Sequence, residues 1–304
     1  MSTHSVDKTV LTRDGIRLSV REYGNPRAAH TAVFMHGLCL TKDSWNLQAE
    51  QLIAEWGGNV RVISYDHRGH GSSSTAPLYT YNVPQLANDL ADVLRVLKVG
   101  GDVTLSGHSM GGMTIMQYMA MSDKERPVDP SNLTLVATSA GNIVGDGVGA
   151  LLNVAPVNYI KTFLNFTPAY MLDPWIRAYT APIIGVAMKV LGYTENYDEV
   201  MAAVCTEAVT RTPIHTKLGF AASLADFDVR GTLKDIRSDV TIFSGGRDFL
   251  TPPSHSDFME SAIPHVRREH FAHLGHMVLH EVPEAVSATL NKFVSKTFDL
   301  AAAV

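Results

Sequence analysis

A serine set between two glycines is the first candidate for chemistry in this chain. Gly107, Ser109 and Gly111 form a Gly-x-Ser-x-Gly pattern, with a predicted buried strand before it at 102–105 and a predicted helix with an apolar face after it at 110–121. A strand that becomes a helix within one residue strains that residue's backbone and exposes its hydroxyl at the start of the helix, where a developing negative charge is favoured. This context predicts that Ser109 is a nucleophile. An N-cap serine beside packing glycines is the alternative.

Ser109 can act as a nucleophile only if a base takes its proton, and the chain has thirteen histidines. His276 is the preferred base because it lies just after the last predicted strand and just before the closing helix. Asp248 follows another predicted strand, which places its carboxylate at the same sheet edge, where it can hold an imidazole in one tautomer. A turn-forming or helix-capping role is the alternative for Asp248. Other histidines near this edge leave the choice of base open: His70, His108, His270, His273 and His280.

Strand and helix patterns alternate from Thr31 to Ala137 and resume at Asp239, which predicts a mostly parallel sheet with helices on both faces. Active sites in such sheets lie outside the carboxyl ends of the strands. The predicted strands are Val6–Thr12, Ile16–Tyr23, Thr31–Met35, Val60–Tyr65, Asp102–Leu105, Leu133–Ala137, Asp239–Ser244 and Val266–Phe271. The predicted helices of this layer are Ser44–Trp56, Val83–Leu97, Met110–Met121, Ser254–Ile263 and Glu281–Phe298.

The alternation stops at Gly141, and residues 141–230 predict several short helices without a strand. An insertion at this point of an α/β core forms a cap over the strand ends. We therefore predict a core domain at 1–140, a helical cap at 141–230 and the second part of the core at 231–304. Between residues 141 and 178 only four residues are charged, which favours an apolar slot over Ser109 and argues against phosphorylated substrates. Packing of the cap on the sheet is the alternative for most of its aromatic residues.

Composition narrows the class of protein further. The 304 residues carry a net charge of −5, which gives no electrostatic reason to expect a nucleic acid partner. Cys39 and Cys205 are far apart, so neither a disulfide framework nor a metal site is expected, and a cytoplasmic location is the prediction. No apolar run reaches the roughly 18 residues of a spanning helix, and the polar N-terminus lacks a signal core. The oligomeric state stays open.

Five motifs in a fixed order give the chain a family resemblance. They are His36-Gly37, Asp66-x-Arg68-Gly69-x-Gly71-x-Ser73, Gly107-x-Ser109-x-Gly111-Gly112, Gly246-x-Asp248, and Gly275-His276 with Glu281 and Pro283 beyond. Together they resemble the α/β-hydrolase superfamily in its esterase, lipase and lactonase branch, across almost the whole chain. The resemblance implies an α/β-hydrolase fold with the cap inserted after the sixth strand. It also implies Ser109 as nucleophile, Asp248 as acid, His276 as base, and an oxyanion hole formed by the N–H groups of Leu38 and Met110.

The implied activity is hydrolysis of carboxylic esters through an acyl-enzyme, as in a carboxylesterase or lipase, with no cofactor and no metal. The expected substrates are lipophilic, such as short-to-medium acyl esters or monoacylglycerols. Lactonase, thioesterase and cofactor-free perhydrolase or haloperoxidase activity are alternatives on the same residues, as is a slow-turnover ligand receptor of this fold. Asp146 is the alternative acid, because some family members carry the acid after the corresponding strand. The segment 66–73 is expected to be structural, with Arg68 paired to a carboxylate.

Overall fold

A computed structural model describes residues 5–143, 193–194 and 197–302, with the backbone alone for 300–302. Eight strands form one sheet in the order β1-β2-β4-β3-β5-β6-β7-β8. The first two pairings, β1–β2 and β2–β4, are antiparallel, and the remaining pairings are parallel. The strands are β1 Ser5–Leu11, β2 Arg17–Gly24, β3 His30–Met35, β4 Val60–Tyr65, β5 Asp102–His108, β6 Asn132–Val136, β7 Asp239–Gly245 and β8 Val266–Phe271.

All eight predicted strands are present, and the central ones are buried along their whole length. Every residue of β3, β4 and β6 is buried, as expected where helices cover both faces of a parallel sheet. β5 continues to His108, three residues beyond its predicted end. It does so because Gly107 pairs with Met35 of β3 and His108 pairs with Val136 of β6. The carboxyl end of β5 therefore lies between two neighbouring strand ends.

The helices of the core agree with the predicted ones except at the C-terminus. Instead of one closing helix, a short helix ends at Glu281 and a long one begins at Pro283. Proline has no N–H to continue the first helix but is well accepted in the first turn of the second. The described helices are α1 Asn46–Trp56, α2 Val83–Val96, α3 Met110–Met119, α4 Glu199–Arg211, α5 Ile214–Ala225, α6 Pro253–Ala262, α7 Val278–Glu281 and α8 Pro283–Ala302.

Two apolar layers cover the sheet. One joins α2, α3 and α5 to the sheet and contains Leu86, Leu90, Val93 and Leu94 of α2. The other joins α1 and α8 to the sheet and includes Trp45 and Leu52. The predicted cap segment, residues 141–230, includes α4 and α5. Its residues 144–192 lie outside the described part of the chain, and they include Asp146 and the aromatic residues of the expected slot.

The loop after β4 is fixed by a buried ion-pair network, and the pairing predicted for Arg68 is confirmed. The fully buried guanidinium of Arg68 donates from Nε to Asp89 Oδ2 (2.7 Å) and from Nη1 to Asp14 Oδ2 (2.9 Å). In the same loop, Asp66 accepts hydrogen bonds from the Lys42 backbone N–H and from Lys42 Nζ, each at 2.8 Å. Removing one partner would leave a buried charge uncompensated, which is strongly destabilising. The Lys42–Asp66 pair joins the loop after β3 to the loop after β4, and Arg68 joins the loop after β4 to α2 and to the β1–β2 turn.

Several histidines are buried in a neutral state. Burial lowers the pKa of His36 and His280 to about 4 and that of His70 and His108 to about 3. Burial also lowers the pKa of His67 well below its ordinary value. In the unfolded chain these side chains bind a proton near pH 6.5. Between pH 6.5 and about 4 the unfolded state therefore binds more protons than the folded state, so protonation favours unfolding in this window.

We predict that the free energy of unfolding falls steeply as the pH is lowered through about 6.5. Each such histidine contributes a loss of up to about 1.4 kcal/mol per pH unit. Urea titrations at pH 8, 6.5, 5.5 and 4.5 measure this slope. His280→Gln should reduce it by about one proton, and His273→Gln, at an exposed position, is the matched control. Equal stability at pH 7 and pH 5 would contradict the account.

Candidate active site

The turn between β5 and α3 is centred on Ser109, which has φ 52° and ψ −117°. Positive φ is uncommon for a residue with a side chain and costs on the order of 1–3 kcal/mol. Neighbouring strands hold it in place: the Ser109 N–H donates to Val136 O (2.9 Å), and the Thr138 hydroxyl donates to Ser109 O (2.7 Å). Ser109 is half-buried, although His108 and Met110 on either side are buried.

The glycines of the motif are required because backbones approach closely around this turn. A Cβ at Gly107 would lie 2.3 Å from the carbonyl carbon of Gly111. A Cβ at Gly111 would lie 2.3 Å from the carbonyl oxygen of Met35. Any side chain at either position would therefore push α3 away from β3 and β5. The Gly-x-Ser-x-Gly pattern thus allows helix α3 to start directly against the sheet.

The predicted base His276 and the predicted acid Asp248 form a buried hydrogen-bonded pair. His276 Nδ1 lies 2.8 Å from Asp248 Oδ2, and both residues are buried. Asp248 Oδ1 also accepts from the N–H groups of Leu250 (2.8 Å) and Thr251 (2.9 Å), and Oδ2 accepts from the Thr251 hydroxyl (2.7 Å). Burial alone raises the pKa of Asp248, but His276 and the Thr251 hydrogen bonds outweigh it, so the pKa lies below its usual value.

The ionised Asp248 fixes the orientation of the imidazole. A carboxylate only accepts hydrogen bonds, so the proton at this contact belongs to His276 Nδ1. The other nitrogen, Nε2, is then left with a lone pair that can accept a proton. Since Asp248 lies on the loop after β7 and His276 on the loop after β8, the pair is positioned by adjacent parallel strands.

The His276–Asp248 pair lies beside the Ser109 turn. The ring of His108, the residue before Ser109, has its centroid 4.9 Å from that of His276. Among the described residues the Ser109 hydroxyl has no hydrogen-bond partner, so this structure does not contain a bond between that hydroxyl and His276. Such bonds are often long in ligand-free enzymes and tighten when a substrate is bound. The structure thus brings Asp248 and His276 into contact and places Ser109 next to them.

Two backbone N–H groups near Ser109 have no acceptor among the described residues. The N–H groups of Leu38 and Met110 make no hydrogen bond within the described ranges of the chain. The loop carrying Leu38 reaches the serine, because a Cβ at Gly37 would lie 3.2 Å from Ser109 Cβ. Its conformation is held by a hydrogen bond from the Cys39 N–H to His70 Nε2 (3.0 Å). These are the two N–H groups that the family resemblance implied for an oxyanion hole.

The alternative bases have other partners. Within the described residues, none of the five forms a hydrogen bond or ion pair with a carboxylate. His270 contacts the Ser244 hydroxyl and Arg268, His280 contacts Ser44 O and the Tyr193 hydroxyl, and His273 is exposed. His70 bonds the Cys39 N–H, and His108 bonds His276 O. Asp146, the alternative acid, lies outside the described residues.

Three residues have roles at the site that the sequence did not predict. Thr251 donates to Asp248, and its hydroxyl also lies 3.4 Å from His276 Nδ1. Glu281 accepts from the N–H (2.7 Å) and hydroxyl (2.6 Å) of Thr194 and, more weakly, from the Gly275 N–H (3.4 Å), so it joins the segment before α4 to the loop of His276. His108 contacts His276. Glu281 stands beside a family motif, and His108 stands within one and was also an alternative base, but neither contact was predicted.

In the ranges that the structure describes, no three His, Cys, Asp or Glu side chains are grouped so that they could hold a metal ion. No helix in those ranges is both long and apolar enough to cross a membrane.

Known proteins with related sequences include hydrolytic and peroxide-using enzymes. The chain is 27% identical over 300 residues to 3-oxoadipate enol-lactonase 2 of Acinetobacter baylyi, an alignment that covers 94% of this chain and 97% of that protein. It is 38% identical over 109 residues to the non-heme chloroperoxidase CPO-A1 of Kitasatospora aureofaciens, 36% of each chain. It is 36% identical over 111 residues to the bifunctional esterase/perhydrolase DCH of Acinetobacter calcoaceticus, 38% of that protein. The chain thus spans little more than a third of the last two relatives.

Solved structures share the fold. The esterase from Exiguobacterium antarcticum superposes with a TM-score of 0.75 at 22% identity, covering 95% of this chain and all of that one. The alpha/beta hydrolase family profile matches residues 32–289, which include the Ser109 turn, Asp248 and His276. The predicted fold class and the family resemblance are both confirmed. With its eight-stranded, mostly parallel sheet, this chain belongs to the alpha/beta hydrolase family.

Proposed function

We propose that this hydrolase cleaves carboxylic esters with Ser109 as nucleophile, His276 as base and Asp248 as the acid that orients the base. One observation carries the proposal. Ser109 stands at positive φ on the strand-to-helix turn, and the buried His276–Asp248 pair packs against the neighbouring residue. A strained serine beside an imidazole held by a carboxylate is the arrangement that activates a hydroxyl for acyl transfer.

The reaction follows from the geometry of these groups. Ser109 Oγ attacks the ester carbonyl while His276 Nε2 takes its proton, and Asp248 stabilises the imidazolium without itself being protonated. The tetrahedral oxyanion accepts hydrogen bonds from the Leu38 and Met110 N–H groups. Loss of one such donor typically costs about 3–4 kcal/mol. The imidazolium then protonates the leaving alkoxide, and water activated by the same His276 releases the acid from Ser109.

We further propose that the acyl group is lipophilic. Residues 141–178 carry only four charged residues among many aromatic and aliphatic ones. In the described part of the site, Phe249 and Leu250 follow Asp248 directly and are 54% and 38% exposed. An exposed apolar pair beside the acid gives a hydrocarbon chain a surface to cover. Each buried CH₂ contributes about 0.8 kcal/mol.

A lactone is the second candidate substrate class, and one observation favours it. The enol-lactonase of Acinetobacter baylyi aligns with 94% of this chain, far more than the esterase/perhydrolase or the chloroperoxidase. Attack of Ser109 on a lactone would follow the same steps, except that the leaving alkoxide remains attached to the acyl group. The two classes therefore differ in the shape of the pocket and not in the proposed triad.

We predict that Ser109→Ala retains the fold and lowers kcat/KM for 4-nitrophenyl esters on the order of 10⁴-fold or more. The reason is that no other group in the proposed mechanism can form the acyl-enzyme. Ser106→Ala is the matched control, since Ser106 lies on the same strand and its buried hydroxyl has no hydrogen-bond partner among the described residues. Kinetics and thermal melting are measured on both variants. A Ser109→Ala rate within tenfold of the wild type removes Ser109 from the mechanism.

We predict that kcat/KM rises with acyl length from acetate over the first few carbons, by at most about fourfold per CH₂, and then levels off. The increase in kcat/KM should end at the acyl length at which further methylenes reach solvent or the end of the slot. Replacing Phe163, Phe166 or Trp175 by alanine should move that end point, if these cap residues line the slot. A lactone series is assayed beside the esters. A flat acyl series defeats the lipophilic proposal, and faster lactone turnover shifts it to the second candidate.

A further inference from the structure

The ring of His108 touches all three parts of the proposed site. It belongs to the residue before Ser109, its centroid lies 4.9 Å from that of His276, and its Nε2 lies 3.0 Å from the His276 carbonyl oxygen. On the other side, a Cβ at Gly37 would lie 2.9 Å from His108 Nδ1. The ring thus fills the space between the nucleophile turn, the loop of the base and the loop of Leu38, and that space exists because residue 37 is glycine.

The hydrogen bonding of His108 defines its tautomer. A carbonyl oxygen only accepts, so the ring proton in this contact is on Nε2. Nδ1 is buried and has no partner among the described residues, which fits a bare nitrogen. Burial lowers the pKa of His108 to about 3, so the ring is neutral near pH 7. His108 is therefore a fixed donor of one hydrogen bond and not a second base.

Among the described residues, no other group donates a hydrogen bond to the His276 carbonyl oxygen. No backbone N–H there donates to the His276 carbonyl, because the helix after it begins at Val278 and its first bonds go to Met277 and Val278. The other bonds that hold this loop are from the Arg247 N–H to Leu274 O, from the Gly275 N–H to Glu281, and from the His276 side chain to Asp248. A buried carbonyl without a donor is destabilising, so the loop would move to find one.

We propose that His108 is a positioning residue that holds the backbone of His276 in register with Ser109 through its Nε2–H bond to the His276 carbonyl. This inference rests on the proposed roles of Ser109 and His276. Both residues must be aligned within a few tenths of an ångström for proton transfer, and a misplacement of about 1 Å can cost on the order of 10²-fold in rate. The donor and the nucleophile are adjacent in sequence, so any shift of the turn is passed directly to the base.

The test compares three variants that each remove a buried histidine. His108→Met removes the donor and should lower kcat on the order of 10²-fold, with KM changed by less than about threefold. His108→Gln keeps an amide donor at a similar reach and should stay within about fivefold of the wild type. His30→Met is the matched control, because His30 is fully buried at the opposite end of the sheet, bonded to Thr297 and Thr104. It should lower the melting temperature without lowering kcat.

Three outcomes overturn the proposal: a wild-type kcat in His108→Met, equal loss of kcat in His108→Gln and His108→Met, or equal loss in His30→Met at a matched fall in melting temperature.

A measurement on the unmutated protein covers the case in which His108→Met does not fold. The ¹⁵N spectrum of histidine-labelled protein should show His108 as the neutral Nε2–H tautomer from pH 8 to pH 5, and an Nδ1–H or charged ring contradicts it. Full activity of Ser109→Ala overturns the proposed function, whereas failure of the His108 tests alone leaves that function standing.

Discussion

The backbone of Ser109 is the constraint on which the rest of the site depends. At φ 52° the residue is strained by about 1–3 kcal/mol, and this cost must be offset by packing around it. β5 is buried between two parallel neighbours, and Gly111 of α3 lies against the Met35 carbonyl of β3 too closely for any side chain. The parallel sheet holds this turn in place. The turn exposes the Ser109 hydroxyl at the amino end of α3.

The second half of the site comes from distant parts of the chain. Asp248 and His276 follow β7 and β8, more than 130 residues after Ser109, and the sheet order brings them to the same edge. Three hydrogen bonds from the Leu250–Thr251 turn and one from His276 keep the Asp248 carboxylate ionised in a buried place. The fixed charge then holds the imidazole with its free nitrogen available. Electrostatics and topology thus act together, since neither would align the groups alone.

Much of the fold could be predicted because buried parallel strands leave continuous apolar runs, and all eight appear where the sequence indicated. The choice of base could not be settled by spacing, since His273, His276 and His280 stand within a few residues, and only the loop after β8 determines which one reaches Asp248. The role of Thr251 depends on a turn whose side-chain bonds have no sequence period. The division of the closing helix at Pro283 was foreseeable from the proline itself.

Labelling with a fluorophosphonate probe tests the central claim, that His276 activates Ser109. The account predicts one adduct, mapped by peptide mass spectrometry to Ser109, that forms on the order of 10³-fold more slowly in His276→Ala. His273→Ala, three residues away at an exposed position, should label at the wild-type rate. Undiminished labelling of His276→Ala, or an adduct on another residue such as the buried Cys39, would contradict the account.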